Sequence, residues 1–197
     1  MNNIIHLDSS IMGDNSVSRQ LTAQVVKHIN QGQKATTYTY TYIDLAQQEL
    51  PTLDGFTVGS FFTQKEHRTS EQQAIATTSD QLISQLKAAD VIVLGAPMYN
   101  FTIPTQLKTY FDLVTRAGIT FQYTETGPKG LLDNKTAYVV VSSGGDYWSQ
   151  ANDFVTPYIK LMLGFIGISE VHVITAAGTA GDKDAALASA QKTISAL

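Results

Sequence analysis

Three segments of the chain carry residue types that can do chemistry. Pro97-Met98-Tyr99-Asn100-Phe101 closes the apolar run Val91-Ile92-Val93-Leu94-Gly95-Ala96. A buried strand ends there, and the residues that follow offer an aromatic ring, an amide side chain and a second aromatic. Such a turn lies flat against a planar heteroaromatic ring and hydrogen-bonds its edge. Ser9-Ser10-Ile11-Met12-Gly13-Asp14-Asn15-Ser16-Val17-Ser18 is rich in hydroxyls and runs into a helix start. Free backbone N–H groups and the helix dipole attract an anion at such a place, and serine hydroxyls donate to phosphate oxygens without adding charge. The same loop also reads as a polar turn with a serine cap. In Ser142-Ser143-Gly144-Gly145-Asp146-Tyr147-Trp148 the paired glycines let backbone approach a ligand closely, or simply make a flexible turn.

Other chemistries are excluded by what is missing. With no cysteine, the chain has no disulfide, thiolate metal site, catalytic thiol or redox dithiol, so electron chemistry would need a bound cofactor. His6, His28, His67 and His172 have no metal-ligand spacing, so no metal is expected. His6 and His172 sit inside apolar strands and read as core residues. The serine loop lacks the P-loop lysine pattern and G-x-G-x-x-G, which argues against a nucleoside triphosphate or a Rossmann dinucleotide there. No G-x-S-x-G elbow supports a serine hydrolase. Asp8 stands without the acidic cluster that a phosphoacceptor site needs. Net charge is −4 and no Lys/Arg cluster exists, so nucleic acid is not an expected partner. No apolar run approaches the roughly 20 residues of a membrane span, and Met1–Asp8 has no basic region of the signal-peptide kind. The expected location is the cytoplasm.

The elements that must position these loops follow from periodicity. A chain of 197 residues, 43% apolar and 15% charged, suits one globular domain over 1–197. Asn3–Leu7 reads as a short buried strand. A helix follows over about Ser18–Gln31, with Ser16 as its cap. Thr36–Leu45 alternates with period two and reads as an edge strand. Ala46–Thr69 reads as a long irregular segment with exposed Phe56, Phe61 and Phe62. Ser70-Glu71-Gln72-Gln73 has the capping-box pattern and opens a helix to about Ala88. Val91–Ala96 is a fully apolar strand, Pro104 starts a helix, and Gly118–Leu132 reads as a hairpin around Gly127-Pro128. Thr136–Ser142 is a fourth buried strand. A helix capped by Asn152-Asp153 runs through Ile166. Val171–Ala176 is the fifth strand, and the last helix covers about Lys183–Ala196. Alternation of strands and helices calls for a parallel sheet covered on both faces. In such sheets ligands bind beyond the carboxyl ends of the strands, where the strand order reverses. The three loops follow strands one, three and four.

The string Pro97–Phe101, continued by Ile103-Pro104-Thr105-Gln106-Leu107-Lys108, resembles the isoalloxazine-binding turn of the FMN-dependent NADH azoreductases, also called FMN-dependent NADH:quinone oxidoreductases. The serine loop is similar to theirs. So are Arg116-Ala117-Gly118-Ile119-Thr120-Phe121 with Tyr123-Thr124-Glu125, and Leu163-Gly164-Phe165-Ile166-Gly167. The resemblance thus covers essentially the whole chain. It implies an α/β flavodoxin-like three-layer sandwich with a five-stranded parallel sheet in the order 2-1-3-4-5. It further implies non-covalent FMN, NADH as electron donor, and two-electron transfer to quinones and azo compounds by a ping-pong mechanism. No side chain then serves as nucleophile, because the flavin carries the chemistry.

Residue by residue, the resemblance implies that Ser10, Ser16, Val17 and Ser18 hold the phosphate and ribityl chain. Pro97, Met98, Tyr99, Asn100 and Phe101 would lie against the ring and its pyrimidine edge. Ser142, Ser143, Gly144 and Gly145 would face flavin O2 and N1, where negative charge develops on reduction. The family often has a basic residue where Ser143 stands, and that charge is lost here. Phe121 and Phe165 would stack on substrate, with Phe61 beside them, although as residues they read equally well as core aromatics. The resemblance also implies a homodimer with its active site at the subunit boundary; independently, the aromatics of the Phe56–Phe62 excursion are expected to form an arm or lid near the partner's flavin. A flavodoxin-like FMN electron carrier without NADH oxidation, or a flavin-free binding module on the same fold, are the alternative readings.

Overall fold

Apolar runs and their spacing decide which segments become strands and which become helices. The computed structural model describes residues 2–32, 38–148 and 150–197. In chain order its strands are β1 (Asn2–Asp8), β2 (Tyr38–Asp44), β3 (Val91–Pro97), β4 (Phe121–Thr124), β5 (Gly127–Gly130), β6 (Thr136–Ser142) and β7 (Glu170–Ala176). The helices are α1 (Val17–Gly32), α2 (Gly55–Phe62), α3 (Ser70–Ala88), α4 (Thr105–Val114), α5 (Val155–Phe165) and α6 (Lys183–Ser195). Five strands pair in parallel in the order β2-β1-β3-β6-β7, and β4 and β5 form a separate antiparallel hairpin. This is the expected order, with β2 at one edge; Thr36 and Thr37 of the expected edge strand lie outside the described residues.

Both faces of the sheet are covered, which is why β3 is a continuous apolar run. Alternate residues divide between two cores. Ile92 and Leu94 pack with Leu82, Leu86, Leu107 and Phe111 of α3 and α4, and with Ile159 and Leu163 of α5. Val93, Ile4 and Val140 pack with Leu21 and Val25 of α1 and with Ala190 and Ile194 of α6. Helices α1 and α6 therefore lie side by side on one face.

Several local readings move. Ala46–Thr69 is not irregular throughout: α2 forms within it, capped by the Asp54 carboxylate, which accepts the Thr57 N–H at 2.7 Å. Two glycines within eight residues hide this helix from any periodicity argument. The capping box sits one residue earlier than expected. The Thr69 hydroxyl accepts the Gln72 N–H at 3.2 Å, and the Gln72 side chain accepts the Thr69 N–H at 3.0 Å. The hairpin turns at Glu125-Thr126, because Pro128 pairs with Tyr123 inside β5, where a two-stranded ribbon tolerates a missing N–H. Asp153 caps α5 by accepting the Val155 and Thr156 N–H groups at 3.1 and 3.0 Å. His6 is buried, its Nδ1 2.7 Å from the Tyr40 hydroxyl, whereas His172 on edge strand β7 is exposed and stacks on Tyr138. Among the described residues no helix is long and apolar enough to cross a membrane.

Candidate functional site

Sheet register brings the three loops to one edge. Asp8 of β1 pairs with Gly95 of β3, and Pro97 of β3 pairs with Ser142 of β6. The loops after these strands enclose a cleft of about 250 Å³. Ser10, Ser16 and Val17 line it from the first loop, Pro97, Met98 and Tyr99 from the second, and Ser142, Ser143 and Gly144 from the third. Ser18, Asn100, Phe101 and Gly145 do not line it, although Ser18, Asn100 and Gly145 each adjoin a residue that does.

Each loop is held by its own bonds and leaves backbone donors unused. The Ser9 hydroxyl donates to the Gly95 carbonyl at 2.6 Å and ties the first loop to β3. Ser16 caps α1, its Oγ accepting the Arg19 N–H at 3.2 Å and lying 3.0 Å from Ser18 Oγ. The first N–H groups of the helix, at Val17 and Ser18, have no protein partner among the described residues, as expected at a helix start. In the second loop Tyr99 and Thr102 exchange backbone bonds of 2.9 and 3.1 Å. This closes a tight turn whose tip residues take positive φ, Asn100 at 50° and Phe101 at 67°. A phenylalanine in that region is costly and is found where the surroundings hold it for a purpose. The Phe101 ring meets Tyr147 of the third loop edge-on at 5.3 Å. Tyr99 joins the first two loops, its hydroxyl 3.0 Å from Ser10 Oγ.

The third loop is zipped to the segment after β7. Carbonyls of Ser143, Gly144 and Gly145 accept N–H groups of Thr179, Ala180 and Gly178, each at 3.1 Å. The N–H groups of Asn100, Phe101, Gly144 and Gly145 remain without protein partners among the described residues. Of the partnerless N–H groups, those of Val17 and Gly144 belong to residues that line the cleft, together with the serines Ser10, Ser16, Ser142 and Ser143, a set suited to an anion at α1 and to the polar edge of a flat ring at β6. Met12, Asn15, Thr179 and Lys183 complete its lining and were not singled out from the sequence. Met12 and Asn15 belong to the hydroxyl-rich loop after β1. Thr179 and Lys183 follow the fifth strand of the sheet, beyond the switch point at which such sheets bind ligands.

A buried polar network supports the first loop from below. Asp8 accepts hydrogen bonds from the Thr22 hydroxyl at 2.9 Å and the Tyr42 hydroxyl at 3.2 Å, and His6 Nε2 lies 3.3 Å away. Burial pushes the Asp8 carboxyl up, but the His6 ring, Thr22 and the Arg19 guanidinium outweigh it and hold its pKa below the usual value. Burial and the Asp8 charge push Tyr42 up to about 12. A carboxylate whose folded pKa lies below its unfolded one stabilises fully above about pH 4 and loses that contribution as pH falls through the folded value. Asp8→Asn should therefore cost about 2 to 3 kcal/mol at pH 7, with the gap to wild type shrinking at about pH 3. Thermal unfolding at the two pH values measures this; an equal gap at both would contradict it.

The proposed substrate-stacking rings lie elsewhere within one chain. Phe61 and Phe121 line a second, mostly apolar cavity of about 600 Å³ between α2, the end of α4 and the hairpin. The Arg116 guanidinium covers the Phe61 ring at 4.5 Å and pairs with Asp80 at 2.7 Å. Phe165 lines neither cavity and packs against Phe121 with ring centroids 4.5 Å apart. The two cavities share no residue.

Comparison with known proteins agrees with this architecture. The family model of the flavodoxin-like fold matches residues 2–197. An FMN-dependent NADH:quinone oxidoreductase of Vibrio vulnificus (strain YJ016) is 48% identical over 100% of this chain and 99% of its own length. One from Alcanivorax borkumensis is 50% identical, covering 96% of each chain. Among solved structures, an FMN-dependent NADH-azoreductase from Bacillus anthracis (Ames Ancestor) in complex with FMN superimposes with a TM-score of 0.88 at 28% identity, over 100% of this chain and 97% of that one.

Proposed function

The chain belongs to the flavodoxin-like-fold family of FMN-dependent NADH:quinone oxidoreductases, and from that membership we propose how its own residues serve the reaction. The protein is an enzyme that moves two electrons from NADH to quinones and azo compounds with FMN as cofactor. When bound, FMN supplies a ring that accepts a hydride and passes the electrons on. Ser10, Ser16, Val17 and Ser18 hold the phosphate end by hydroxyls and the N–H groups of the first turn of α1. Met98 and Tyr99 pack on the ring, and the tip N–H groups of Asn100 and Phe101 meet its edge. Gly144 and Gly145 would offer their partnerless N–H groups where negative charge develops on the reduced ring, as oxyanion stabilisation requires. The observation that carries this assignment is one cleft lined by the loops after β1, β3 and β6, with partnerless N–H groups at Val17 and Gly144 in its lining.

Pro97, Met98 and Tyr99 wall one side of the cleft, so donor and acceptor would use the other side in turn, giving ping-pong kinetics. The whole chain works as one domain, in the cytoplasm, where NADH is supplied. The test is anaerobic addition of NADH to the FMN-loaded protein. Full bleaching of the oxidised-flavin band, reversed by a quinone, is the expected result, with parallel double-reciprocal plots in steady state. A flavin that NADH does not bleach would favour an electron carrier.

The enzyme is a homodimer in this reading, and Phe61 reaches the partner's cleft rather than its own, whereas Phe121, 6% exposed and packed on Phe165, serves as a core aromatic. Support comes from the apolar cavity beside α2 and from Phe62, which is 79% exposed at its rim; exposed apolar patches mark interfaces. Phe62→Glu should weaken association by at least about 100-fold, because a charge would be buried in place of an aromatic ring. Sedimentation should show a wild-type dimer and a variant monomer that still binds FMN. A variant that stays dimeric would refute this interface.

A further inference from the structure

Lys183 is the one charged side chain among the described residues lining the cleft. The other polar groups there, such as Ser16, Asn15 and Thr179, are neutral. The cation nearest the first loop, Arg19, is already engaged: its Nη2 donates to Asp44 at 2.6 Å and to the Ser10 carbonyl at 2.8 Å, and its Nη1 to the Tyr42 hydroxyl at 2.8 Å. Lys183 makes no ion pair with any carboxylate among the described residues.

Its position is fixed and electrostatically awkward. Lys183 is the first residue of α6, where the positive end of the helix dipole disfavours a cation. Asp182 caps that helix, its carboxylate accepting the Ala185 N–H at 2.9 Å, and the preceding loop is zipped to Ser143–Gly145. Because α1 and α6 pack side by side, their first turns open onto the same cleft. An anion there would meet two helix dipoles and the lysine charge together. A phosphate monoester carries roughly 1.5 to 2 negative charges at neutral pH, which hydroxyls and amides alone leave without a counter-charge.

We propose that Lys183 is the counter-ion of the FMN phosphate, reaching across from α6 to the anion held at the start of α1. This rests on the placement of FMN given above. The flexible four-carbon stem of lysine suits a point-charge contact of this kind. The assignment makes Lys183 a specificity residue: it separates FMN from riboflavin, which has the same ring and no phosphate.

The test is titration of the apoprotein with FMN and with riboflavin, at low and high salt, for wild type, Lys183→Gln and Lys183→Arg. Lys183→Gln should weaken FMN binding roughly 10-fold, leave riboflavin binding unchanged, and flatten the salt dependence of FMN affinity. Lys183→Arg should restore FMN binding to within a few-fold of wild type. Unchanged FMN affinity in Lys183→Gln would overturn the proposal, as would a parallel loss for riboflavin, which would put the lysine at the ring. Ser16→Asp, run alongside, should abolish the preference for FMN whether or not Lys183 takes part. Its failure would overturn the phosphate site itself, and with it this proposal.

Discussion

Ser16→Asp should weaken FMN binding by at least about 100-fold while the fold melts within a few degrees of wild type. Aspartate is as good a helix cap as serine, so the bond to the Arg19 N–H can be kept. The new carboxylate, however, would face the cleft that Ser16 lines. Two like charges about 4 Å apart repel by about 4 kcal/mol at the effective dielectric of a protein surface. Flavin fluorescence titration measures the affinity, and riboflavin is the control, since it should bind the variant as well as it binds wild type. FMN binding at wild-type strength would mean that the phosphate lies elsewhere.

The second large effect is structural. Gly130→Ala should cost about 4 kcal/mol or more, a large part of the 5 to 15 kcal/mol that holds a typical domain folded. A methyl group at Gly130 would sit 2.1 Å from the Gly167 nitrogen and 2.3 Å from the Ile166 carbonyl carbon. Neither side can yield easily. The Leu131 and Leu132 N–H groups both donate to the Ile166 carbonyl, at 3.1 and 2.9 Å, and Gly167 already holds φ at 108°. This close approach docks the hairpin on the end of α5 and so sets Phe121 against Phe165. A melting temperature lower by roughly 8 to 16 °C is expected for a domain of this size, and calorimetry would reveal it. A loss under about 1 kcal/mol would show that the hairpin can lift without consequence.

Much of the fold was legible because burial on both sheet faces imposes long apolar runs, as in Val91–Ala96 and Thr136–Ser142. The loops of the cleft were legible for a related reason. Hydroxyls before a helix, a Tyr-Asn-Phe turn and a glycine pair are unusual enough at strand ends to stand out. What stayed hidden depends on packing between distant elements. Lys183 looked like an ordinary helix-start lysine, and only the pairing of α1 with α6 brings it to the cleft. That Phe61 and Phe121 line one cavity depends on how α2 meets the hairpin, which no local pattern encodes. The Thr69 box was misplaced by one residue because Thr69 and Ser70 are both good caps, and only the hydrogen bonds distinguish them.

FMN placed along the carboxyl ends of β1, β3 and β6 underlies every role assigned above, and a crystal structure of the protein grown with FMN tests that placement most directly. The phosphate is expected against Ser16 and the first N–H groups of α1, and the pyrimidine edge facing the Gly144 and Gly145 N–H groups. A cleft filled by packed side chains, or FMN bound at another surface, would contradict it.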